Sequence, residues 1–196
     1  MRFLKLKGEN YLKQTLLIID AQQELMDGNE KEKAVFNKEN LIRNINLVID
    51  KAIKSNVPVV FVRDRDVAEG KGTGFDIHNG IRVPKDAKIF DKKATNCFHG
   101  TGLLNHLQSQ EIKHVVVMGC STQHCIDSAV RTATINGLDV TLVGDGHSTA
   151  DSDILGAEQI IKHHNNTLHG HYNLEHFSVV RKSEEELFQP THDSYR

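Results

Sequence analysis

Short apolar runs alternate with amphipathic stretches from residue 15 to residue 180. Residues 15–20 (TLLIID) form an unbroken apolar run that ends in an acid, the pattern of a strand buried on both faces. In residues 37–55, Leu41, Ile45, Val48 and Ala52 recur at spacings of four, three and four, which puts them on one face of a helix. The same reading predicts strands over 58–63, 88–91, 114–119, 138–144 and 176–180, and helices over 102–110, 122–136 and 154–164. In the 122–136 helix Ile126, Ala129, Val130 and Ala133 share a face, and Gly137 stands where a C-terminal glycine cap belongs. Strand–helix alternation of this kind predicts an α/β fold: a three-layer α/β/α sandwich around a mostly parallel sheet of about six strands. No internal repeat or linker breaks the pattern, so one domain over residues 1–196 is expected.

Composition narrows the partners. Of the 196 residues 26% are charged, with 24 Lys+Arg against 26 Asp+Glu, which excludes disordered and fibrous classes. The formal charge of −2 and the absence of a basic block leave nothing to neutralise a run of phosphates, so no nucleic-acid partner is expected. The longest apolar runs, 58–62 and 115–118, fall far short of the ~20 residues of a membrane span. The opening MRFLKLKGENYLK has no apolar stretch of the signal-peptide kind. A cytoplasmic protein without a membrane partner is therefore expected. Cys97, Cys120 and Cys125 are an odd number with no C-x-x-C pair, which points to reduced thiols.

In parallel sheets the ligand site lies beyond the carboxyl ends of the strands. Asp20 ends the first predicted strand, Lys92 and Lys93 follow the third, the run GCSTQHC ending in Cys125 follows the fourth, and Asp145 follows the fifth. An acid, a lysine and a cysteine thus reach one rim from separate strands, as a nucleophilic constellation requires. Cys125 would also stand in the first turn of the next helix, where unpaired N–H groups and the macrodipole favour a thiolate.

The runs KKATNCFHGTGL from Lys92 and VVVMGCSTQHCIDSAVRTATINGLDVTLVGDGHS from Val115, with Asp20-Ala21-Gln22 as a D-x-Q opening, resemble the isochorismatase-like superfamily of cysteine hydrolases. The resemblance spans roughly residues 15–180. It implies that Cys125 is the nucleophile, Asp20 the general acid/base, and Lys92 the cation that lowers the thiol pKa and orients the acid. Lys92 is preferred to Lys93 because the superfamily's lysine stands six residues before a phenylalanine, here Phe98. Attack by the thiolate would create an oxyanion held by the backbone N–H groups of Ser121 and Cys125. The superfamily usually has a cis peptide in this loop, here expected at Cys120–Ser121. A small-molecule substrate, a homodimer or homotetramer and no cofactor are further implications.

Nicotinamidases of this superfamily carry D-x-H and a further histidine after the second strand to hold a metal. Here Asp64-Arg65-Asp66 gives no D-x-H and the next histidine is His78, so no catalytic metal is expected. Isochorismatases proper lack a cysteine at the nucleophile position. With both types kept only as rival readings, the residues favour hydrolysis of a C–N bond in a small amide, carbamoyl compound, ureide or lactam through a Cys125 thioester. A catalytically silent binding or scaffold member of the fold and a redox sensor using a Cys120–Cys125 disulfide are further rivals. Residues 163–172 (HHNNTLHGHY) supply four imidazoles that could bind a metal, but read more simply as a helix end entering a surface loop. Residues 70–74 (GKGTG) read as a flexible loop over the pocket, and the loops 64–78 and 146–155 as its variable walls. Asp145 would support the nucleophile loop or cap the next helix, and residues 183–186 (SEEE) would start a short terminal helix.

Overall fold

The computed structural model describes residues 13–188. Seven strands form one sheet: β1 (Gln14–Ile19), β2 (Val59–Asp64), β3 (Lys88–Lys92), β4 (His114–Cys120), β5 (Asp139–Ser148), β6 (Tyr172–Asn173) and β7 (His176–Arg181). Their order is β3-β2-β1-β4-β5-β7-β6, and every pairing is parallel except the two-residue β6 against β7. That short antiparallel strand accounts for the difference from the expected six.

The helices are α1 (Gln23–Asp27), α2 (Lys38–Lys54), α3 (Gly72–Phe75), α4 (Leu103–Ser109), α5 (Asp127–Ile135) and α6 (Ala157–Leu168). Alternate residues of β1 enter two separate cores. Leu16 and Ile18 pack with Leu41, Ile45, Val48, Ile49 and Ala52 of α2, while Leu17 and Ile19 pack with Leu103 and Leu107 of α4 and Ala129, Val130 and Ala133 of α5. Leu16, Leu17, Ile18 and Ile19 have no exposed surface, so each contributes roughly 2 kcal/mol by burial. Both faces of the sheet are therefore covered, as the continuous apolar run requires. Gly137 follows α5 with φ of 80°, the left-handed conformation that a C-terminal cap glycine supplies.

Three boundaries differ from expectation. β5 runs on to Ser148: Val117 pairs with Leu142 but Gly119 pairs with His147, so the intervening stretch with Gly144 and Gly146 bulges out and the strand then resumes. Asp145 therefore lies inside β5 and not after it. α6 starts later because Asp151 Oδ1 accepts the Ala157 N–H at 2.8 Å, and it continues through His163 and His164. Residues 183–186 form a turn and not a helix. Ser183 donates its N–H (2.7 Å) and hydroxyl (2.9 Å) to Asp145, which thus anchors the C-terminal segment and caps no helix.

The strand order reverses between β1 and β4, because successive connections run outward from β1 on one side and from β4 on the other. A crevice opens at such a reversal. Gly119 is required there: its φ is 123°, and a Cβ would overlap the Ile19 carbonyl, so only glycine lets the two chains approach at the crevice floor.

Candidate active site

Four strands deliver chemistry to this crevice. Asp20 follows β1, Asp64 ends β2, Lys92 ends β3, and β4 leads through a cis Cys120–Ser121 peptide into a π-helical turn, Thr122–Ile126, that carries Cys125. The expected cis bond is present. Cys125 lies in this wider turn ahead of α5 and not in an α-helical first turn as expected.

Lys92 connects the others. Its Nζ is 2.9 Å from Asp20 Oδ2 and 3.3 Å from Cys125 Sγ, and it donates a short hydrogen bond to Asp64 Oδ2. Lys92 and Asp20 are each 1% exposed and Cys125 is 9% exposed, so these charges interact with little water between them. A buried ammonium is tolerable only with partners, and two carboxylates supply them. Burial alone would push Lys92 toward neutrality, but Asp20, the cysteine and Asp64 outweigh it and hold the amine protonated. Burial pushes the Asp20 carboxyl up to about 6, against the lowering pull of Lys92. Burial, reinforced by the Asp20 charge, pushes the Cys125 thiol up to about 12. Lys92 pulls the thiol down, and burial and the Asp20 charge outweigh it.

Asp20 Oδ2 faces the Lys92 ammonium at 2.9 Å, whereas Oδ1 has no hydrogen-bond partner among the described residues. Gln22, the third residue of the D-x-Q opening, is a positioning residue. It is fully buried; its Nε2 donates to the carbonyls of Asp64 and Phe75 at 3.0 Å each, and its Oε1 accepts the Asp64 N–H at 2.6 Å. One amide thereby fixes the end of β2 and the single-turn α3 to the end of β1.

Asp20, Asp64 and Cys125 also form a potential ligand set, with ligating atoms within 4.8 Å of one another. The Lys92 ammonium contacts all three, so a metal would have to displace it. The histidines of 163–171 do not converge. His164 bonds the Ile160 carbonyl, His169 accepts the Val180 N–H, and His171 meets Asn173. His78 is buried against Asp27 at 3.2 Å.

A cavity of about 330 Å³ opens onto Cys125 and is lined by Asp20, Asp64, Ser121 and His124, with Glu24, Leu25, Asn29 and Glu32 on one side and Asp66, Val67 and Ala68 on the other. Ser121 and Cys125, the expected oxyanion pair, thus share a wall with the acid. Residues 70–74 do not line it: α3 packs back on α1, and Asp66–Ala68 take the place expected of the glycine loop. Residues 149–153 line an adjoining cavity that shares Leu25, Glu32, Ser121 and His124.

Behind the turn Thr122–Ile126 lies a second buried polar cluster that no sequence motif marks. Thr122 Oγ1 meets His147 Nδ1 at 2.9 Å, His147 Nε2 meets Asn165 Oδ1 at 2.9 Å, and Asn165 Nδ2 donates to the Gly144 carbonyl at 2.8 Å. Burial lowers the His147 pKa to about 4, so the ring is neutral near pH 7. Cys120 and Cys97 are fully buried, and burial raises both thiols; Cys120 belongs to the core on the opposite face from Cys125.

The sequence profile of the isochorismatase domain matches residues 14–162, which takes in the whole site. The chain belongs to the isochorismatase family. By that membership it is a hydrolase. The isochorismatase family protein YddQ of Bacillus subtilis (strain 168) is 27% identical over 147 residues, covering 71% of this chain and 79% of that protein. A cysteine hydrolase from Pseudomonas syringae pv. phaseolicola 1448A superposes with a TM-score of 0.76 at 16% identity over 89% of this chain and 91% of that one. An N-carbamoylsarcosine amidase from Thermoplasma acidophilum gives 0.69 at 20% identity over 89% and 98%. No helix among the described residues of this isochorismatase-family chain is long and apolar enough to cross a membrane.

Proposed function

We propose that this chain is a metal-independent cysteine hydrolase that cleaves a C–N bond of a small amide, carbamoyl compound, ureide or lactam through a Cys125 thioester. One observation carries the reading: at the floor of the cavity a single ammonium lies 2.9 Å from a buried carboxylate and 3.3 Å from a thiol. Near pH 7 Asp20, with its pKa at about 6, is largely ionised, whereas the thiol keeps its proton. Asp20 takes that proton as Sγ bonds to the carbonyl carbon and the carbonyl π electrons move to oxygen. Lys92 stabilises the sulfur as it becomes anionic. Collapse of the tetrahedral oxyanion expels nitrogen, to which Asp20 returns the proton. The thioester is then attacked by water that Asp20 deprotonates, and the acid leaves as the thiol is restored. Ser121 and Cys125 N–H groups stabilise the oxyanion in both halves.

Ammonia release over a panel of primary amides, ureides and carbamoyl acids tests the reading, with Cys125→Ala and Asp20→Asn as controls. Turnover of one compound class that both substitutions abolish is expected. Turnover that survives Cys125→Ala would overturn it.

A further inference from the structure

The cavity over Cys125 is lined by five carboxylic residues, Asp20, Glu24, Glu32, Asp64 and Asp66, and by no lysine or arginine. Lys92 beneath it neutralises part of the Asp20 and Asp64 charge. Glu24, Glu32 and Asp66 have no cationic partner among the described residues; Glu24 receives only the Asn29 amide at 3.0 Å. The lysines nearest in sequence, Lys31 and Lys33, line the adjoining cavity and not this one.

A second observation concerns hydrogen-bonding capacity. Asp20 Oδ1, which lines this cavity, has no hydrogen-bond partner among the described residues, and neither has Gln123 Oε1, whose residue lines the adjoining cavity. Asp20 is 1% exposed, so water does not readily serve it. The site is rich in carboxylates, and Lys92 faces only Asp20 and Asp64 among them.

We propose that the cavity selects a substrate that carries its own cation: a small amide, ureide or carbamoyl compound bearing a protonated amine or guanidinium, with Glu24, Asp66 and Glu32 as specificity-determining residues. This rests on the reading of Cys125 as the nucleophile. The ammonium donates N–H bonds to the rim carboxylates while the scissile carbonyl reaches Sγ. A compound of equal size carrying a carboxylate, as a carbamoyl amino acid does, meets repulsion from these carboxylates. The substrate class therefore differs from the N-carbamoylsarcosine of the Thermoplasma amidase.

The charge preference can be read without knowing the substrate. Wild-type protein is treated with three methanethiosulfonates, bearing an aminoethyl, a propyl or a sulfonatoethyl group, and Cys125 modification is timed by peptide mass mapping. The fully buried Cys97 and Cys120 serve as internal references. Modification by the aminoethyl reagent roughly 10-fold or more faster than by the sulfonatoethyl reagent at low ionic strength is expected, narrowing in high salt. In Glu24→Gln/Asp66→Asn, with Glu32→Gln added in a third protein, the ratio falls stepwise toward one. A parallel series compares ω-amino primary amides with neutral alkyl amides and ω-carboxy amides of the same length, with kcat/KM highest for the amino series. Equal rates for the three reagents, or a faster anionic reagent, would overturn the charge proposal while leaving Cys125 a nucleophile. Cys125 that reacts with none of them would overturn the nucleophile reading and this proposal together.

Discussion

Two buried polar clusters flank the turn Thr122–Ile126, and they have been completed in opposite ways. Behind it, Thr122, His147 and Asn165 close a chain of hydrogen bonds that ends on the Gly144 carbonyl, and burial holds the imidazole neutral. In front of it, Asp20 and Asp64 ion-pair with Lys92, and Asp20 Oδ1 has no hydrogen bond among the described residues. Burial is nearly equal, since His147 is 3% exposed and Asp20 1%. What separates them is satisfaction: a closed neutral network fixes a backbone, while an open charged one keeps capacity for a ligand or a proton. The rear cluster holds the turn, and the front cluster is the site of the proposed chemistry.

Substitutions at either cluster should separate activity from stability. The largest effect on rate belongs to Cys125→Ala, for which a loss of about 10³-fold or more in turnover is expected with an unchanged urea midpoint. A midpoint that falls with the rate would make the cysteine a packing residue. Lys92→Ala should cost about 3–5 kcal/mol in urea unfolding, because it leaves the buried Asp20 facing Asp64 without a cation. His147→Ala should cost less, about 2–4 kcal/mol, since it opens a small cavity and strips Thr122 and Asn165 of a partner but leaves no charge unpaired. Its activity should fall only as far as the turn loosens. If His147→Ala abolishes turnover without loss of stability, the division between the clusters fails.

Titration gives the smallest and most specific effect. Asp20 is raised on folding from 3.8 to about 6, so its contribution to stability is present below pH 3.8 and lost as pH rises through 6. His147 is lowered from 6.5 to about 4, so its contribution is present above pH 6.5 and lost as pH falls toward 4. In the wild type the two oppose each other across this window. In Asp20→Asn only the histidine remains, and the variant should lose stability between pH 6.5 and 4 more steeply than the wild type, by roughly 1–3 kcal/mol. Parallel profiles for the two proteins would contradict the Asp20 shift.

The apolar runs carried most of the architecture. An uninterrupted 15–20 and the four-three-four spacing of Leu41, Ile45, Val48 and Ala52 follow directly from strands buried twice and helices buried once. The D-x-Q, lysine and cysteine motifs marked the residues that the structure brings to one crevice. β5 was harder to delimit, because glycines and an acid read as a turn when they are in fact a bulge whose strand resumes at His147. Asp64 stands out in the sequence for a missing D-x-H motif and not as a partner of Lys92, since only the fold shows that β2 and β3 end side by side. The Thr122–His147–Asn165 chain joins residues 18 to 25 positions apart, which no local pattern reveals. Glu24 and Glu32 left only scattered acids after D-x-Q, interleaved with Lys31 and Lys33, whose meaning depended on which way that segment folds back.

If Cys125 carries the acyl group, the acyl group can be caught there. Wild-type protein and Cys125→Ala are mixed with the best-turned-over amide, quenched in acid within the first turnovers, and analysed by intact mass and peptide mapping. An adduct equal to the substrate less ammonia is expected on the Cys125 peptide of the wild type and none on the variant. Rapid turnover with Cys125 unmodified throughout, and with the variant equally active, would contradict it.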